Sequence, residues 1–322
     1  MTLSKTLSEG ISGGDARSLA RGLSLVENGA PESGELLHLL FPCVPPHRTI
    51  GVTGPPGAGK STLLDRMIGY FRSKNAKVGV IAVDPSSPFS GGAILGDRLR
   101  MQTHSTDPGV FIRSMGSRGH LGGLSGATRD AALLMASAGC DPVIVETVGV
   151  GQAEVEIAEL ADLTILVLVP GAGDDVQAMK AGIMEIGELI VLNKADRPGI
   201  DQLESAVSAS LELIPEGRIR PPVARVSAVT GQGLEDLWAT IELLLKRTDS
   251  KTRRLENTRR TLRGILAENG LRFNELLLRR EYGSEDVLLE SIIKGMTTPY
   301  EVGRKLARVA ERMLAGHECK ED

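Results

Sequence analysis

Cysteine is scarce in this chain. Cys43, Cys140 and Cys319 are the three in 322 residues, an odd number at wide spacing with no CxxC pair, which argues against a disulfide framework and for a reducing compartment. Long apolar runs are missing as well. None approaches the roughly 20 residues that cross a bilayer, and the opening MTLSKTLSEG has no apolar core of a secretory signal. The first arginine, Arg17, follows Glu9 and Asp15, unlike the arginine-rich, acid-poor start of a transit peptide. A cytoplasmic protein with no membrane association is the expectation. An excess of positive charge is the third absence: 37 Lys and Arg against 41 Asp and Glu give a net charge of -4, so no broad basic field exists to hold nucleic acid. His38, Cys43 and His47 place three donors in a short stretch, but their spacing fits no structural zinc pattern and Pro42, Pro45 and Pro46 mark an ordinary linker.

What is present is enough apolar sequence for a sizeable core, 41% of residues. Residues 1–46 read as an N-terminal helical extension, with Leu19, Leu23 and Val26 on one side of a helix and a second apolar segment from Glu35 to Phe41. Over residues 47–248, short β-branched runs alternate with helical patterns, the mark of repeated βαβ units. Strands are expected at Arg48–Thr53, Val78–Asp84, Val110–Arg113, Val143–Thr147, Leu163–Pro170, Leu189–Asn193 and Val223–Ser227. Most are nearly continuous apolar runs, as strands covered on both faces must be. The expected fold class is α/β, a P-loop NTPase with a mostly parallel central sheet flanked by helices, plus N-terminal and C-terminal helical extensions. Residues 249–322 turn to charged helical sequence. Val302, Leu306, Val309 and Met313 there form a narrow stripe suited either to packing within the chain or to a dimer contact.

Gly54-Pro55-Pro56-Gly57-Ala58-Gly59-Lys60-Ser61, followed by Thr62, matches GxxxxGK[ST] between an expected strand and an expected helix, whose Leu63, Leu64, Met67, Ile68 and Phe71 share a face. Its glycines let backbone N–H groups turn inward around phosphate oxygens, and the helix N-terminus adds positive potential. Lys60 reaches the β- and γ-phosphates, and Ser61 offers a hydroxyl to magnesium. Asn193-Lys194-Ala195-Asp196, about 130 residues later at a strand's end, resembles the NKxD motif by which GTPases choose guanine. A carboxylate there accepts from the N1–H and 2-amino groups of guanine, whereas adenine would leave Asp196 unpaired. Ser227, Ala228 and Val229 resemble the loop that backs the guanine ring.

Between these markers, the apolar strand Val143–Thr147 carries Glu146 and leads to Gly149, Gly151 and Gln152. That is where a magnesium-side carboxylate and a γ-phosphate sensor belong. Glu146 stands where the Ras-like DxxG pattern has Asp, and no Gln directly follows Gly149, so Gln152 is not assigned the water-orienting role. Asp84 ends the second strand and is a candidate magnesium or water-network ligand, with a helix cap as its other reading. Asp97 lies in the following loop, as ligand or as solvent-facing charge. Arg98 and Arg100 could act as an arginine finger in cis or form surface salt bridges.

GPPGAGKS, VDPSSPFSGGAILGDR, ETVGVGQAE and NKAD in this order resemble the MeaB/ArgK family, relatives of the methylmalonic aciduria type A protein. The likeness covers nearly the whole chain, and its most specific parts are Asp84–Arg100 and Pro170–Glu185. It implies a GTPase, binding GTP or GDP with Mg2+, that chaperones an adenosylcobalamin-dependent acyl-CoA mutase, most often methylmalonyl-CoA mutase, gating cofactor loading and protecting the mutase. It further implies a magnesium site at Ser61, Asp84, Asp97 and Glu146, with catalysis shared among Lys60, Asp84, Asp97 and Glu146. Mobile switches at Gly91–Arg100, Glu146–Gln152 and Asp174–Glu185, including Lys180, and a homodimer through the C-terminal helices complete the implied picture. Two other functions stay open: an ATP-dependent kinase of a periplasmic amino-acid binding protein, against which NKAD argues, and a nickel-delivery GTPase, against which the absence of His-rich or CxxC sites argues.

Overall fold

The structure, a computed structural model, describes residues 2–45, 47–85, 104, 106–117, 126–147, 153–171, 184, 186–215, 219–247, 250–294 and 296–317. The chain divides into two compact units, Met1–Arg260 and Thr261–Asp322. The first unit is built on seven strands in the order β3-β2-β4-β1-β5-β6-β7. They are β1 (Thr49–Thr53), β2 (Val78–Pro85), β3 (Val110–Ser117), β4 (Val143–Thr147), β5 (Leu163–Leu168), β6 (Leu189–Leu192) and β7 (Val223–Arg225). Every neighbouring pair is parallel, so the mostly parallel sheet expected is parallel throughout. All seven expected strands are present, with ends shifted by a few residues.

Alternation along the strands explains why the sheet is buried on both sides. Ile50, Val52, Val78, Val80, Ile144, Ile165, Val167 and Val191 point to one face, which is covered by α4 (Lys60–Ser73) and by the helix at Leu234–Lys246. The expected face of α4 is fully used: Leu63, Leu64, Met67, Ile68 and Phe71 are all buried, each contributing about 2 kcal/mol relative to exposure.

The opposite face is covered in two parts. Ile81, Val83, Val143 and Val145 pack with three N-terminal helices, α1 (Leu3–Ser12), α2 (Ala16–Glu27) and α3 (Pro31–Leu40), and with α5 (Gly126–Ser137). The N-terminal extension is therefore a covering layer of the sheet. Its first helix, α1, is not expected from the sequence, although Leu3, Leu7 and Ile11 stand four residues apart and pack in this layer. Further along, Leu166, Leu168, Ile190 and Leu192 pack against α7 (Ile200–Glu212). The short helix α6 (Ala153–Leu160) follows β4, and α8 is the helix Leu234–Lys246 named above.

Strand order places the site. After β1 the chain runs through α4 toward β2 on one side, and after β4 it runs through α6 toward β5 on the other. The carboxyl ends of the adjacent strands β1 and β4 thus flank a topological switch point, where open α/β sheets bind ligands.

The second unit contains the end of α9 (Ser250–Tyr282), α10 (Glu285–Ile293) and α11 (Pro299–His317). Ser284 caps α10 by accepting from the Val287 N–H. Lys305 joins Glu281 at 3.3 Å and lies 4.7 Å from the Tyr282 ring. Of the expected stripe, Val302 is buried and Leu306, Val309 and Met313 are half-buried.

Candidate nucleotide site at the carboxyl ends of β1, β4 and β6

The loop from Gly54 to Gly59 leaves β1 and enters α4. Gly54 has φ +142°, and a Cβ there would stand 2.1 Å from the Val167 carbonyl oxygen, so the loop can leave the strand this close to β5 only without a side chain. Lys60, the first residue of α4, is 7% exposed. Its ammonium donates to the carbonyls of Gly54 at 2.7 Å and Pro55 at 3.1 Å, which holds a positive charge inside the loop. Ser61 and Thr62 continue the first turn, where unpaired helical N–H groups gather.

Glu146, 6% exposed, sits on β4 beside β1 in the register Val52–Glu146. The Ser61 hydroxyl donates to its carboxylate at 2.9 Å. One residue on, the Thr147 hydroxyl donates to that of Thr53 at 2.9 Å, both fully buried. This pair ties the ends of the two strands; it was not foreseen, although a threonine closing each of two apolar strands was a visible signal.

On the other side of β1, the NKAD turn follows β6. Asn193, 2% exposed, works as a joint. Its amide donates to the Ala58 carbonyl at 2.8 Å, and its Oδ1 accepts from the N–H groups of Lys194 at 2.8 Å and Ala228 at 3.1 Å. The phosphate-type loop, the NKAD turn and the Ser227–Val229 loop are thereby fixed to one side chain. Lys194 has φ +60°, and its ammonium donates to the Gly57 carbonyl at 2.6 Å. Asp196 is exposed. A hydrogen bond from the Ser227 hydroxyl, then its own backbone amide and the charges of Arg197 and Lys194, hold its carboxyl below the usual value. It therefore presents an ionised acceptor toward solvent. Ser227 is fully buried, Ala228 nearly so, and Val229 is 71% exposed.

The structure thus brings together Gly54–Thr62, Glu146, Asn193–Asp196 and Ser227–Val229. Asp84 is placed at the carboxyl end of β2 by backbone pairing with Gly116, next to the strand that bears Glu146; its side chain lies outside what is described. Asp97, Arg98, Arg100, Gly149, Gly151, Gln152, Asp174, Asp175 and Lys180 also lie outside the described residues. A cradle for phosphates, a hydroxyl–carboxylate pair beside it and a carboxylate turn on the far side suit a guanine nucleotide laid across the strand ends.

Comparison with known proteins agrees. Residues 19–278 match the family described as methylmalonyl Co-A mutase-associated GTPase MeaB. The chain belongs to the MeaB family of GTPases. A Pyrococcus abyssi protein is 45% identical over 306 residues, covering 88% of this chain and 94% of that protein. The mouse protein named methylmalonic aciduria type A homolog, mitochondrial, is 35% identical over 251 residues, 72% of this chain and 60% of its own length. Among solved structures, one titled as a LAO/AO transport system kinase superposes with a TM-score of 0.69 at 27% identity, covering 96% of this chain and 97% of the other. This MeaB-family chain is accordingly a P-loop GTPase that binds guanine nucleotide. No helix of its described residues is long and apolar enough to cross a membrane.

Proposed function

We propose that this GTPase is a nucleotide-driven chaperone of an adenosylcobalamin-dependent acyl-CoA mutase, methylmalonyl-CoA mutase first among them, acting in the cytoplasm as a homodimer. The single observation that supports the nucleotide half of this reading is the Asn193 joint, which ties the Gly54–Gly59 loop, the NKAD turn and the Ser227–Val229 loop to one side chain in one frame. In that frame Gly54–Thr62 wrap the phosphates, Lys60 turns its ammonium from loop carbonyls to the β- and γ-phosphates, Asp196 accepts from the guanine edge, and Ser227–Val229 back the ring.

Magnesium fits the donors present. A serine hydroxyl and a buried carboxylate 2.9 Å apart are hard oxygen ligands of the kind that ion takes. Ser61 and Glu146 would hold it, with Asp84 and Asp97 as the further acids. When bound, the ion supplies charge neutralisation on the β- and γ-phosphate oxygens. With no glutamine directly after Gly149, basal hydrolysis should be slow and should rise when a partner orders the remaining machinery.

The mutase half is supported by the family's description and by the name of the mouse relative. Dimerisation through residues 249–322 is supported by exposed apolar side chains such as Leu266, Leu276 and Ile293. Nucleotide state and partner affinity must then be reciprocally coupled. The test is hydrolysis by the purified protein, with ATP as control, alone and with methylmalonyl-CoA mutase. GTP turnover that rises with the mutase supports the reading; GTP turnover indifferent to every acyl-CoA mutase tried sinks the partner. The kinase title of the structural relative favours a second reading, and phosphate transfer from ATP to a binding protein would establish it.

A further inference from the structure

Arg66 belongs to no nucleotide-binding motif. It lies on α4, five residues after Ser61, and extends away from the phosphate loop toward the loop after β7. Its Nε donates to the Ala228 carbonyl at 2.9 Å and one terminal nitrogen donates to the Val229 carbonyl at 2.9 Å. The planar guanidinium offers these two N–H groups in a fixed fork, which suits two successive carbonyls. Ala228 also donates its N–H to Asn193, so the residue is gripped from the NKAD side through its N–H and from the α4 side through its carbonyl. Beyond it, Val229 is 71% exposed, and apolar packing does little to hold this part of the loop.

We propose that Arg66 is a positioning residue for guanine recognition, fixing the Ala228–Val229 backbone so that the base loop is already in place when nucleotide arrives. This rests on the reading of Ser227–Val229 as the base loop. The helix that carries Lys60 and Ser61 at its N-terminus thereby braces the base end of the same site through one side chain. Without the brace, the Asn193 grip on the Ala228 N–H remains but the Ala228 and Val229 carbonyls are left unheld on the α4 side, and settling them on binding raises the dissociation rate of a ligand that uses the base more than that of one that does not.

The experiment follows release of a ribose-labelled fluorescent GDP by stopped flow, together with the affinity for inorganic triphosphate, which engages the phosphate loop without a base. Arg66→Met keeps the alkyl stem and removes the donors; Arg66→Lys keeps a charge that can reach one carbonyl at a time. The expected result is GDP release about three- to tenfold faster in Arg66→Met, the scale of one or two lost hydrogen bonds, with inorganic triphosphate affinity unchanged and Arg66→Lys in between. GDP release at the parent rate in Arg66→Met overturns the proposal, as does equal weakening of GDP and inorganic triphosphate, which a general loosening of the fold would produce. A parent protein that binds inorganic triphosphate but no GDP would overturn the base-loop reading itself, an outcome visible before any variant is made.

Discussion

The Ser61 hydroxyl donates to the Glu146 carboxylate at 2.9 Å across 85 positions of sequence. The contact exists because α4 starts directly beyond β1 and β4 is the parallel neighbour of β1. On the function proposed above, the two oxygens would hold a metal on the nucleotide's phosphates. Replacing Glu146 by Gln keeps the shape and removes the charge. Hydrolysis at saturating GTP should fall at least about tenfold, and half-maximal activity should need more magnesium, as disturbed metal-supporting groups generally show. A magnesium titration on parent and variant checks this; an unchanged half-maximal concentration would remove Glu146 from the metal site.

Lys60 donates to two loop carbonyls and would turn to the phosphates on binding. Lys60→Ala should lower GTP hydrolysis by about two to three orders of magnitude, as loss of a preorganised charge donor does, with the circular dichroism spectrum retained. Turnover close to that of the parent would move the phosphate site elsewhere.

Asp196 is held below its ordinary value of 3.8, first by the Ser227 hydroxyl. The charged form is therefore present above that value and is lost only as pH falls through the lowered one. Guanine preference should show no carboxylate step between about pH 7 and pH 5, while Asp196→Asn should weaken the preference for GTP over ATP by about a hundredfold or more. Competition binding at several pH values measures both, and undiminished preference in the variant would place guanine recognition on other groups.

Gly54 combines φ +142° with a would-be Cβ 2.1 Å from the Val167 carbonyl oxygen. Gly54→Ala should destabilise the protein by about 3 kcal/mol or more, since a strained backbone and a clash with strand backbone add together. Urea unfolding gives the number, and a loss below about 1 kcal/mol would mean that β5 can yield.

Cys140 is buried, and burial pushes its thiol up to about 11; Cys43 is exposed. Iodoacetamide at pH 8 should label Cys43 in the folded protein and Cys140 after denaturation, read by peptide mass spectrometry. Rapid native labelling of Cys140 would show that its pocket opens readily.

Much of this protein was legible because its signals are local. Strands buried on both faces write themselves as apolar runs, and a helix that covers them repeats Leu63, Leu64, Met67, Ile68 and Phe71 at helical spacing. The phosphate loop and the NKAD turn each need special backbone and donor geometry within a few residues, so a short ordered motif, GxxxxGK[ST] in one case and a resemblance to NKxD in the other, marks them. The helix Leu3–Ser12 carries its period in only three apolar residues, Leu3, Leu7 and Ile11, and that the N-terminal extension walls the core is not written locally: nothing local says which sheet face a helix will cover.

Sequence alone determined the element types, the phosphate-loop motif and the acid and amide residues of the strand ends, each specified by short-range chemistry. Tertiary structure decided which of them meet. Strand order set β4 against β1, which brought Glu146 to Ser61 and Thr147 to Thr53. It also turned Asn193 into a joint of three loops and laid Arg66 against the carbonyls of Ala228 and Val229, 162 and 163 positions away. Pairings over such distances follow from how the apolar faces of a whole sheet are covered, and no window of sequence contains that information.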